Sequence, residues 1–136
     1  MLELSDGARI TAAIVLLTLV GIESGGFFLL RIHAGKVPAT DFQKAFYRAG
    51  HAHAGVLVIL GLLCTLLAEA TGLRGFWHWL AATGVLIAAI LLPGGFFLSA
   101  MGEGRTTPNG LKVLFPAGAA FLGAGVVTLA IGLLTS

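Results

Sequence analysis

Three ionisable side chains interrupt long apolar runs in this sequence: Glu23, His51 and His53. Ionisable groups at such positions are costly, at roughly 2.5–3.5 kcal/mol for Asp, Lys or Arg at the centre of a membrane helix, and they mark functional candidates. Imidazole is a ligand for haem iron, copper and zinc. A neighbouring carboxylate can complete a ligand set, orient the ring or pass a proton. His51 and His53 are two positions apart, so on a helix they project about 200° from one another. They cannot both bind one metal ion from the same regular helix. His53 falls on the face of Gly50, Ala54 and Gly61, which predicts a place inside a helix bundle. His51 shares the other face with Gly55, Leu62 and Glu69, and would meet another helix, another subunit, lipid or a second cofactor. Glu23 stands about ten residues, or ~15 Å, before the end of its apolar run. That depth matches His53 on the next run, so a Glu23–His53 contact is expected.

The elements that must carry these groups are membrane helices. Of 136 residues, 57% are hydrophobic and 10% charged, with a mean hydropathy of +1.00. A soluble domain carries roughly 25% charged residues. Four stretches, about 8–32, 46–70, 76–100 and 111–134, reach the ~20 apolar residues that cross a bilayer core. The alternation of a membrane β-barrel is absent. The short connections predict an all-α, up-down-up-down four-helix bundle, one transmembrane domain over 1–136. The first run lacks the basic flank of a signal peptide and exceeds its usual length of about 7–15 residues, so it is expected to stay as a span. Arg31, Lys36, Lys44, Arg48, Arg105 and Lys112 gather on one side, against Arg9 and Arg74 on the other. This bias places the first and third connections in the cytoplasm of a bacterial inner membrane and both termini outside. Trp77, His78 and Trp79 then form an outer aromatic belt. Glu69 is expected to pair with Arg74, and Arg31 and Arg48 to reach lipid phosphates.

The two halves repeat one another. The run Gly25-Gly26-Phe27-Phe28-Leu29 returns as Gly94-Gly95-Phe96-Phe97-Leu98, at an offset of 69. Ala49-Gly50 returns as Ala117-Gly118, and Gly55 as Gly123, at an offset of 68. Two duplicated helical hairpins, about 8–70 and 76–134, follow. Gly118, Gly125 and Gly132 mark one face of the last helix, where small residues let backbones approach in lipid. Gly94 and Gly95 after Pro93 predict a kink. The ionisable residues are not duplicated: Glu23, His51 and His53 correspond to Leu92, Ala119 and Phe121. That asymmetry argues for one specialised polar site.

The segment Arg48-Ala49-Gly50-His51-Ala52-His53-Ala54-Gly55 resembles small four-helix membrane proteins of bacteria. More remotely, it looks like the His-x-His helix of haem–copper oxidase subunit I. In that family the two histidines point to opposite sides of one helix and serve two haems. The resemblance therefore implies that His51 and His53 are haem axial ligands, and it covers about eight of 136 residues. The family's length and its copper-ligand histidines are missing, so oxygen reduction is not implied.

Three readings follow. The first is a haem b or transition-metal site (copper or zinc) in a redox or accessory role. It is held by His53 and His51, with Glu23 as a ligand or support and Arg48, a turn from His51, holding a propionate. The second is a proton- or ion-coupled transporter or channel using Glu23, His51 and His53. The third is a structural subunit of a larger membrane complex, or a homo-oligomer. Nucleic-acid binding is excluded, because the net charge of +2 is spread over short connections rather than a groove or arm. Cys64 is the only cysteine, so no intrachain disulfide forms and a packing role is expected. Phosphate-binding glycine loops, Cys-x-x-Cys, His-Glu-x-x-His and a nucleophile elbow are all absent, and no reaction is assigned.

Overall fold

A computed structural model describes residues 3–136. Four α-helices account for most of it: α1 (Asp6–His33), α2 (Asp41–Ala68), α3 (Gly75–Ser99) and α4 (Leu114–Leu134), the last preceded by a 3₁₀ turn, Gly110–Val113. Each of the four is long and apolar enough to cross a membrane.

The start of α2 corrects the sequence reading by five residues, Asp41 rather than 46. Thr40 and Gln43 form a capping box: the Thr40 hydroxyl accepts from the Gln43 N–H at 3.2 Å, and Gln43 Oε1 accepts from the Thr40 N–H at 3.0 Å. Two orphan donors are satisfied at once, so the polar residues Asp41, Gln43 and Lys44 extend the helix beyond the apolar run. Gln43 is buried, and its amide donates to the Ala100 and Gly102 carbonyls at 3.0 and 2.7 Å. The Thr40 hydroxyl donates to Arg105 O at 2.6 Å. One short polar segment thus ties the beginning of α2 to the end of α3.

The core lies between α2, α3 and α4. Half of α3's apolar stretch is buried, against 6% for α1. Val85, Ala81 and Ala88 are sealed from solvent, with Leu57, Cys64 and Leu129 packed around them. Close approach at the centre depends on glycine. A Cβ at Gly84 would lie 2.9 Å from Gly125 Cα, and one at Gly125 would lie 3.1 Å from Gly84 Cα. Gly118 and Gly132 accept Leu92 and Leu73 in the same manner, so the sevenfold glycine stripe of α4 is its packing face. On α2, Gly50 receives Phe96 and Phe97, and Gly61 receives Leu86. Helix α1 packs against α2 alone, leaving a groove between α1 and α3 floored by Ala54 and Val58. α3 runs through the buried Pro93 without interruption in its helical assignment.

Candidate functional site

His51 and His53 point away from one another, as their spacing requires; His51 meets another helix, one of the neighbours expected for it, whereas His53 is not inside the bundle. His51 is half-buried against α1, lying on Gly25 and Gly26. A Cβ at Gly25 would stand 3.3 Å from His51 Nδ1, and one at Gly26 would stand 3.6 Å from Nε2. The glycine pair of the first helix therefore makes a shelf for an imidazole ring. A side chain at either glycine would press on the ring, so the absence of one lets the imidazole lie close to α1.

His53 is exposed rather than enclosed. The reason is angular. Gly50, Leu57, Gly61 and Ala68 define the buried line of α2, and His53 sits about 60° off it. The ring rests on Phe96, with centroids 4.9 Å apart. Phe96 in turn meets Phe46 and Phe115 edge-on, at 5.4 and 4.7 Å. His53 Nδ1 lies 2.8 Å from the Ala49 carbonyl oxygen. A carbonyl only accepts, so Nδ1 carries the proton and, in the neutral ring, Nε2 keeps its lone pair. Metal-bound histidines are fixed in this way by a hydrogen bond from the other nitrogen.

Glu23 is exposed on α1, and no hydrogen bond or ion pair among the described residues joins it to either histidine. The expected Glu23–His53 contact is not made. Helix α1 meets α2 on the His51 side, about 160° around the helix from His53. Arg48 lies on a third aspect, in a cleft between α1 and α2 with His33 and Lys44. Among the described residues no three His, Cys, Asp or Glu side chains gather as a metal-binding group. The arrangement leaves one imidazole, that of His53, on an open face.

A second polar group, which spacing along the sequence does not reveal, lies at the far end of α2. Glu69 accepts from the Ser5 backbone N–H at 2.8 Å and faces His78 Nε2 at 3.4 Å. Arg74, its expected partner, is not in this arrangement. The Ser5 N–H holds the Glu69 carboxyl below its ordinary value; burial opposes this and His78 assists it. Ser5 also caps α1, accepting from the Ala8 N–H at 3.2 Å. The signal was Ser5 before an apolar run, but its partner is 64 residues away.

Comparison with protein-family models, curated proteins and solved structures finds no match.

Proposed function

We propose that this chain is a haem-b-carrying multi-pass subunit of a bacterial inner membrane, with His53 as an axial ligand. The supporting observation is the His53 ring itself. It is exposed, held by the Ala49 carbonyl through Nδ1, and laid on Phe96. An exposed ring needs its opposite wall from elsewhere, and a second copy or another membrane subunit would supply it. Bound haem would supply one-electron transfer. His53 would hold the iron through Nε2, while Phe96, Phe46 and Phe115 would keep water from one side. His51 acts as a packing ring on the Gly25–Gly26 shelf, and becomes a second ligand only if α1 moves away. Glu23, at comparable depth, would be a carboxylate facing the partner.

The reading includes an up-down-up-down path through the bilayer, with the first and third connections in the cytoplasm, and an ancestral hairpin duplication. Glycine environments agree with the duplication. Gly50 and its counterpart Gly118 are both buried against α3, while Gly55 and its counterpart Gly123 both face open space.

The test is the absorption spectrum of protein purified in mild detergent from cells supplied with iron. A Soret band that is lost in His53→Ala and kept in His51→Ala is the expected result. Protein without such a band refutes the proposal. A specific observation also favours a second reading, proton movement. Glu23 and His53 both stand exposed on apolar helices, where protonation can be exchanged with a mobile carrier. Proton flux in vesicles that falls in Glu23→Gln, with no haem present, would favour it.

A further inference from the structure

We propose that the cleft between the end of α1 and the start of α2 is a binding site for one anionic phospholipid. The cleft has a volume of about 420 Å³ and is lined by Leu29, Leu30 and Ile32 on one part and by His33, Lys44, Arg48 and Asp41 on the other. An apolar floor beside several cations suits a molecule with a phosphate head and an acyl chain. Arg48 lies about 10 Å along α2 from its first residue, where a long side chain reaches toward headgroups while its stem covers hydrocarbon.

The charges are available. Arg48 and His33 have no carboxylate partner among the described residues. Lys44 pairs with Asp41 at 3.2 Å, but the Asp41 side chain is fully exposed, and such surface pairs release readily. A guanidinium binds two phosphate oxygens in its planar fork, and the lysine ammonium adds a flexible point charge. Free phosphate would satisfy these groups but leave the leucine floor open, so the committed occupant is a lipid. The lipid would bridge Leu29, Leu30 and His33 of α1 to Lys44 and Arg48 of α2. It thereby fastens a helix that has only one protein neighbour.

The experiment uses the intact chain, delipidated in mild detergent. It is titrated with short-chain phosphatidylglycerol, phosphatidylcholine or inorganic phosphate, and read by native mass spectrometry and thermal stabilisation. Phosphatidylglycerol should be retained and raise the midpoint, while phosphatidylcholine and phosphate should not. Arg48→Gln or Lys44→Gln should weaken retention roughly fivefold each, and the pair about thirtyfold, at about one lipid-facing charge per substitution. Arg74→Gln, at the start of α3 and outside the cleft, should leave retention unchanged. Circular dichroism of the double variant establishes that it is folded, and Arg48→Lys should restore part of the binding. Equal retention of phosphatidylcholine, equal stabilisation by inorganic phosphate, or undiminished binding in the folded double variant would each overturn the proposal. None of these results depends on the haem spectrum.

Discussion

Replacing Gly84 with alanine should separate α3 from α4. The added Cβ would sit 2.9 Å from Gly125 Cα and 3.1 Å from the Phe121 carbonyl oxygen. Carbon atoms rest at about 3.5–4.0 Å. Both obstacles are backbone, so no side-chain rotation relieves them, and the helices must part by about 0.6–1 Å. Overpacking of this kind costs about 1–3 kcal/mol. Alanine gains about 0.5–1 kcal/mol over glycine within a helix, which leaves a net loss of up to about 2.5 kcal/mol. Gly123 is the internal control. It lies two residues from Gly125 on the same helix, yet a Cβ there meets nothing within 4 Å. Gly123→Ala should therefore be neutral or stabilising by about 0.5–1 kcal/mol. Unfolding titrations of both variants in a mild detergent, monitored by helical circular dichroism, measure the difference. Equal midpoints would refute the reasoning, because both sites are helical glycines and only Gly84 has backbone standing opposite it.

Two further perturbations address the ends of the helices. Gln43→Leu should destabilise by about 1–3 kcal/mol, because it removes the buried amide that donates to the Ala100 and Gly102 carbonyls and the oxygen that accepts from the Thr40 N–H, leaving Ala100 only the longer bond from the Tyr47 hydroxyl; the same titration would show it. The Glu69 carboxyl is held below its ordinary value, so its contribution is present above the unfolded-state carboxyl range and is lost as pH falls through the lowered folded value. The stability gap between the natural chain and Glu69→Gln should be constant near neutral pH and should close in acid. Melting curves collected down the acid range would reveal a pH-independent gap if the reasoning is wrong.

The spans were legible because apolar length is a local property. Glycine packing was legible for the same reason: on the α4 stripe Gly118 and Gly125 face α3, and Gly132 faces Leu73 and Thr71 in the connection before it. The capping box was equally present in Thr40 and Gln43, but an apolar count passes over it because Asp41 and Lys44 are charged. What the sequence withheld is rotation. Gly50, Ala54 and Gly61 identify the α3-facing line of α2, but nothing local to α2 says on which flank α1 will lie. His51 met α1 and His53 was left outside because the Gly25–Gly26 shelf received a ring, a pairing that two distant segments settle together. Glu69 chose Ser5 over Arg74 for a comparable reason: a backbone N–H at the start of α1 came within 2.8 Å. The repeat in the sequence pointed to a unique polar site, but Glu23 and the two histidines are not brought together.

The single-partner packing of α1 also bears on time. Synthesis delivers α1 first, yet this helix has the least to pack against, and α3, with neighbours on two sides, arrives well after it. Where the second half brings Gly84 against Gly125, the corresponding positions of the first half hold Val15 and Leu57, both buried and both bulky. The first hairpin therefore lacks the close backbone crossing that would lock it before the rest is made. Assembly should centre on α3 as it closes on α2 through Gly50, Gly61 and Gln43 and on α4 through Gly84 and Gly125. In that order α1 docks last though born first, and unfolding should release it before anything else.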